Sequence, residues 1–188
     1  MKRIGIYPGT FDPIHAGHIA FAQEAMRTCK LDEVIFLPEH SPRYKTGVTD
    51  ITHRTALIRL ATQDMSQLSV EILSSLQFSV KDTLQELRAL RSNAGLTLLV
   101  GSDVAQTLSS WQNVNTLLRD MSLVIGVREG DGEKALAREL RNLANDQITF
   151  VTTRHASVSS SAIRNGHIIS DTLHLDARNY IQQRSLYG

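Results

Sequence analysis

Five short apolar runs constrain this chain more than any other feature: RIGIY (3–7), EVIFL (33–37), TLLVG (97–101), SLVIGV (122–127) and ITFVT (148–152). They lack the polar alternation of strands that face water on one side, which predicts strands buried on both faces, the condition of a parallel sheet. Between them AGHIAFAQEAMRTC (16–29), ITHRTALIRLATQ (51–63), SVKDTLQELRAL (79–90) and GEKALARELRNLA (132–144) place apolar residues at three- and four-residue steps, the pattern of helices with one buried stripe. Alternation of the two predicts an open, doubly wound α/β sheet. Ser69–Leu73 is a further, shorter strand candidate.

A length of 188 residues suits one domain over 1–188. The longest irregular stretch, PEHSPRYKTGVTD (38–50), carries two prolines, a glycine, Arg43 and Lys45. Loops of that length inside compact domains are commonly functional. In open parallel sheets ligands bind beyond the carboxyl ends of the strands, so the segments starting near Tyr7, Leu37, Gly101 and Val127 are expected on one rim.

Lys and Arg total 20 against 19 Asp and Glu, so no overall field attracts nucleic acid or an anionic membrane, and an anionic ligand must be caught locally. Cys29 is the only cysteine, which excludes an intrachain disulfide and a four-cysteine zinc site and fits a reducing compartment. The apolar run after Met1-Lys2-Arg3 stops at Pro8-Gly9, too short for a signal peptide, and no stretch has the ~18 apolar residues of a membrane span. A cytoplasmic location is the expectation.

GTFDPIHAGH (9–18) follows the first run directly. Gly9 would let the backbone approach a ligand, Thr10 adds a hydroxyl donor, and the next helix aims its free N–H groups and positive dipole end at the same rim. His15 and His18, three apart, can lie on one helix face toward one anion. Three readings compete: a triphosphate site, a transition-metal site with Asp12 as the nearest third ligand, and a plain strand-to-helix turn. The G-x-G-x-x-G dinucleotide fingerprint is absent.

The same stretch resembles the (T/H)xGH signature of the nucleotidylyltransferase superfamily. FSVKDTLQEL (78–87), LLVGSDVAQTLSSW (98–111), VIGVRE (124–129), VSSSAIR (158–164) and NYIQQRSLY (179–187) continue the likeness along nearly the whole chain, in the order of the bacterial nicotinate-nucleotide adenylyltransferase family. This resemblance implies a Rossmann-like sheet with a small C-terminal helical portion. It implies ATP on the rim, with His15 and His18 donating to its phosphates, Gly9, Thr10 and Phe11 contacting the nucleotide, and Gly101 and Asp103 beside it. Lys45 would reach the phosphates from the long loop. Ser160 and Ser161 would open a short helix whose amides face phosphate, with Arg164 supplying a guanidinium fork. Taken without the resemblance, VSSSAIR is an N-capping serine run.

For the second substrate the resemblance implies Asp103, Trp111 and Arg128, with Ser79 and Val80 in the loop that recognises the pyridine. Each also has a plain reading: Asp103 a helix N-cap, Trp111 a core anchor, Arg128 a solvated strand end. One departure concerns this loop. The family usually has Ser-Tyr-Thr where this chain has Phe78-Ser79-Val80. Pro8-Gly9 likewise replaces the common Gly-Gly, as in phosphopantetheine adenylyltransferase. The implied reaction is in-line transfer of the adenylyl group of ATP to nicotinate mononucleotide, with Mg²⁺ on the triphosphate and no dedicated protein metal site. Nicotinamide mononucleotide, phosphopantetheine or an alcohol phosphate remain alternative acceptors, and a nucleotide-binding regulator is the alternative outside catalysis. Homo-oligomerisation is left open.

Overall fold

The computed structural model describes residues 1–128, 133–140, 147–153, 158–166 and 172–187. Six strands, β1 (Arg3–Gly9), β2 (Glu33–Pro38), β3 (Leu68–Val70), β4 (Gly95–Gly101), β5 (Ser122–Arg128) and β6 (Ile148–Thr153), form one sheet of order β3-β2-β1-β4-β5-β6. Every pairing is parallel. All five predicted runs are strands, and the weaker candidate pairs over Leu68–Val70, one residue earlier and shorter than its sequence suggested.

Successive side chains of each strand enter opposite cores, as a period of two demands. Ile4, Ile6, Leu96, Leu98, Leu123 and Ile125 face one cluster; Tyr7, Val34, Phe36, Leu99, Val124 and Val151 face the other. The first cluster is covered by α3 (Val80–Leu90), α5 (Val114–Asp120) and α6 (Glu133–Leu140), which contribute Leu84, Leu87, Leu117, Leu136 and Leu140. The second is covered by α1 (Ala16–Cys29), α2 (Ile51–Thr62) and the later helices α7 (Ser160–Arg164) and α8 (Leu175–Gln183). One-turn α4 (Ser102–Ala105) directly follows β4.

The two middle strands lie side by side although β2 and β3 intervene in sequence, so the winding direction reverses between β1 and β4. That switch point opens a crevice beyond their carboxyl ends. α1 packs closely over the sheet: a Cβ on Gly126 of β5 would stand 2.9 Å from the Phe21 ring. The expected fourth helix begins at Glu133, and the 141–144 part of that expectation lies outside the described residues. Gln63 and Ser79 prove to be the C-cap of α2 and the N-cap of α3. Among the described residues no helix is long and apolar enough to cross a membrane.

Candidate active site

β1 ends at Gly9, and the chain turns through residues 10–14 into α1. The tight turn expected at Gly9 needs the absence of a side chain for a reason of its own: a Cβ there would fall 2.8 Å from the Phe11 ring. Phe11 adopts a left-handed backbone (φ 48°) that folds its ring back beneath the turn. There it meets Tyr7, His18 and Phe36 at centroid distances of 5.2, 5.1 and 5.3 Å. Such edge contacts contribute about 0.5–1.5 kcal/mol each beyond area burial. The Phe11 side chain therefore builds the turn, and what this residue presents to the rim is backbone.

His15 caps α1 in an extended conformation and His18 occupies its third position, with ring centroids 3.8 Å apart. The two side chains share one helix face, as their spacing predicts. The His15 backbone N–H donates to His18 Nδ1 at 3.2 Å, which leaves the proton of a neutral His18 ring on Nε2. Removal from water, then the fields of His15 and Lys45, hold the His18 pKa well below its ordinary value. His18 is thus a neutral N–H donor at neutral pH.

Lys45, 35 residues away, donates to Thr10 Oγ1 at 2.8 Å and brings a flexible ammonium to the same turn. On its other side, Ser160 Oγ donates to the Pro13 carbonyl (2.9 Å) and Arg164 Nη1 to the Asp12 carbonyl (2.6 Å). Ser159 caps α7 by accepting from the Ala162 N–H, and Ser161 is exposed on the same turn. Thr10, His15, His18, Lys45, Ser160 and Arg164 are thereby gathered around residues 9–18, bringing imidazole, ammonium and guanidinium groups to one turn.

The metal reading requires Asp12, whose side chain is committed elsewhere: Oδ1 accepts from the Tyr187 hydroxyl (2.7 Å) and Oδ2 from the Thr49 N–H (3.2 Å). Among the described residues no group of three His, Cys, Asp or Glu is arranged to hold a metal ion.

Sequence reasoning missed Arg54. Only 1% exposed, it donates Nε to the Thr49 carbonyl (2.6 Å), Nη1 to Thr10 (2.8 Å) and Nη2 to Glu39 (2.9 Å) and His40 (3.3 Å). One guanidinium thus ties both ends of the 38–50 loop to the turn that follows β1. Burial lowers its pKa while Asp12, Tyr187, Asp50 and Glu39 oppose that shift, so the charge persists. Its signal was present: Arg54 lies one turn before Leu57 and Ile58, on the apolar stripe of α2, where a lone cation needs a buried set of acceptors.

The second group lies at the ends of β4 and β5. Gly101, where a Cβ would meet nothing within 4 Å, is the N-cap of α4. Asp103 is therefore not the cap but an exposed carboxylate in the first turn. Trp111, half-buried, donates its indole N–H to Thr107 Oγ1 (3.0 Å) and packs on Phe78, centroid to centroid 5.9 Å. The Phe78 N–H is held by Glu39 Oε1 at 2.8 Å. In the departing loop, Ser79 spends its hydroxyl on Asp82, accepting from its N–H and donating to Oδ2, and the Val80 side chain is buried in the core. Arg128 ends β5, its backbone in register with Thr153.

The cytidylyltransferase-like family matches residues 6–166. A protein of Neisseria meningitidis serogroup B named "Probable nicotinate-nucleotide adenylyltransferase" is 32% identical, over 100% of this chain and 99% of its own. One of the same name from Clostridium perfringens is 31% identical over 87% and 85%. In three dimensions the chain resembles the Plasmodium falciparum nicotinic acid mononucleotide adenylyltransferase solved with NaAD, with a TM-score of 0.79, 19% identity and coverage of 100% and 98%. The parallel sheet with its switch point between β1 and β4 is thus a Rossmann-like fold shared with that enzyme. From the match across its length, this chain belongs to the cytidylyltransferase-like family and, within it, to the nicotinate-nucleotide adenylyltransferases.

Proposed function

We propose that the chain transfers the adenylyl group of ATP to nicotinate mononucleotide, forming deamido-NAD and pyrophosphate in NAD biosynthesis. An oxygen of the mononucleotide phosphate attacks the α-phosphorus in line; the bond from that phosphorus to the β-bridging oxygen breaks, and its electron pair leaves with pyrophosphate. No protein nucleophile is needed. Catalysis comes from aligning two anions and from donors aimed at charge that grows on the α-phosphate and the leaving group.

The carrying observation is the juxtaposition of His18, fixed as a neutral Nε2–H donor, with Lys45 and Thr10 at the end of β1. In this reading His18 donates to the α-phosphate and His15 to a neighbouring phosphate oxygen. Lys45 and Arg164 neutralise the leaving pyrophosphate together with Ser160 and Ser161 at the start of α7. Gly9, Thr10 and Phe11 line the nucleotide with their backbones, and Gly101 and Asp103 border it from β4. The acceptor lies toward Asp103, Trp111 and Arg128, with Ser79 and Val80 contributing backbone, since their side chains are otherwise engaged. Mg²⁺ would come with ATP as part of that substrate and would add to the charge neutralisation that Lys45 and Arg164 supply. The reaction belongs in the cytoplasm, where ATP and the mononucleotide are available, within one domain spanning 1–188.

The deciding experiment measures pyrophosphate release with ATP or CTP against nicotinate mononucleotide, nicotinamide mononucleotide, phosphopantetheine and an alcohol phosphate. Release with ATP and nicotinate mononucleotide above all other pairs is expected. Preference for another acceptor would reassign the substrate, and ATP binding without release from any pair would make the chain a nucleotide-binding regulator.

A further inference from the structure

The segment NYIQQRSLY (179–187) has no part in the chemistry above, yet its Tyr187 reaches the turn between β1 and α1. α8 is fixed to α2 by His53 Nδ1 facing the Tyr180 hydroxyl at 2.9 Å and by Gln63 Nε2 donating to Asp176 Oδ2. Beyond α8 the chain makes a last turn, Leu186 N–H to Ile181 carbonyl (3.0 Å), in which Ser185 and Tyr187 both take left-handed φ values of 49° and 62°. Two such non-glycine residues so close together persist only where surrounding contacts hold them. Leu186 and Tyr187 pack against the apolar cluster around α1 and α2, and the Tyr187 hydroxyl donates to Asp12 Oδ1 at 2.7 Å, across 175 positions.

Asp12 is only 3% exposed, and three separate segments converge on it. The closing turn holds Oδ1, the end of the 38–50 loop holds Oδ2 through the Thr49 N–H, and α7 holds its carbonyl through Arg164. Thr49 and Tyr187 thus hold the two oxygens of one buried carboxylate. Asp12 lies in the turn between Thr10 and His15, so its position sets theirs. A carboxylate with one oxygen left unpaired in this buried place would rotate toward another donor and carry the turn with it.

We infer that Tyr187 is a positioning residue: its hydroxyl locks Asp12, and through Asp12 it holds His15, His18, Lys45 and Arg164 in the arrangement that receives the triphosphate. The inference rests on the adenylyl-transfer reading. Tyr187 touches no substrate; it acts through the turn. A displacement of the order of 1 Å between catalytic donors and reacting atoms costs as much as ~100-fold in rate, so loss of this single hydroxyl registers in turnover well before it registers in folding.

The test compares the full chain with Tyr187→Phe, Asp12→Asn and the double variant. Readouts are steady-state kinetics with MgATP and nicotinate mononucleotide, thermal melting, and the ring resonances of His15 and His18 by NMR without substrates. Tyr187→Phe is expected to keep a cooperative melt, lower kcat by about 10- to 100-fold, leave the acceptor KM within twofold and shift the histidine resonances. In Asp12→Asn the amide oxygen can still accept from the Thr49 N–H while the NH2 can only donate. The bond from the Tyr187 hydroxyl to a carboxylate oxygen is therefore lost in both single variants, and the double variant is expected to be no slower than the slower single one. Should Tyr187→Phe fail to fold, Asp12→Asn, which preserves volume, carries the same kinetic and NMR tests. Turnover within twofold of the parent with unmoved resonances would overturn the inference, as would losses that multiply in the double variant. Absence of any transfer by the parent chain would instead strike the adenylyl-transfer reading, and the resonances would still report whether Tyr187 sets the turn.

Discussion

Replacing Arg54 by methionine keeps most of the side-chain volume and removes every donor. In the parent, one guanidinium serves the carbonyls of Thr10, Glu39, His40 and Thr49, with the side chain only 1% exposed. Hydrogen bonds from a charged donor contribute about 1.5–3 kcal/mol each, but the carbonyls do not all lose equally, since the loop can relax and admit water. Removing one partner from a buried charged network typically costs about 3–5 kcal/mol, and we expect Arg54→Met to fall there. Against a total stability of about 5–15 kcal/mol this is a large share. Trp111 is the only tryptophan and packs on Phe78, so urea unfolding can be followed by its fluorescence. With a slope of about 2 kcal/mol per molar urea, the midpoint should fall by roughly 1.5–2.5 M. Arg54→Lys keeps the charge but cannot span the same acceptors and should recover less than half of the loss. A midpoint for Arg54→Met within about 0.5 M of the parent would refute the view that this residue ties the long loop to the turn.

Other expectations follow from the same geometry. His18→Ala should retain the parent melting temperature within a few degrees while kcat drops by on the order of 100-fold, as when one transition-state donor is removed; near-normal turnover would end its assignment to the α-phosphate. Gly9→Ala places a methyl 2.8 Å from a buried ring. It should cost about 1–3 kcal/mol in urea unfolding, and an unchanged midpoint would show that Phe11 yields freely. Because the folded-state pKa of His18 is depressed, the unfolded chain binds its proton more readily. The stability this contributes is present above the unfolded value near 6.5 and is lost as pH falls below it. His18→Asn should therefore flatten the acid limb of the melting temperature against pH, and an unaltered limb would count against the desolvated ring.

The sheet was readable because its cause is local. Strands buried on both faces must be apolar throughout, and RIGIY, EVIFL, TLLVG, SLVIGV and ITFVT satisfy that condition without reference to any partner. β3 was harder because three paired residues leave little pattern, and α4 and α5 are too short for a helical period to emerge. Site residues near one another in sequence, such as His15 and His18, could be placed on one face from their spacing alone. The contacts from Lys45 to Thr10 and from Tyr187 to Asp12 could not, since each depends on how distant segments fold together. The capping alternative for Asp103 fails because α4 begins at Ser102 with Gly101 as its cap. The Phe11 ring that packs against Gly9 leaves no signal in the sequence, since it folds back only through a left-handed backbone.

The 175-position span between Asp12 and Tyr187 also has a meaning in time. A ribosome adds about 5–20 residues per second, so the segment bearing both histidines exists for roughly 10–35 seconds before the tyrosine that clasps it has been made. During that interval β1 and α1 can form, but the turn between them lacks the hydroxyl that holds Asp12. The contact that latches this turn is therefore made long after the turn's own residues have emerged.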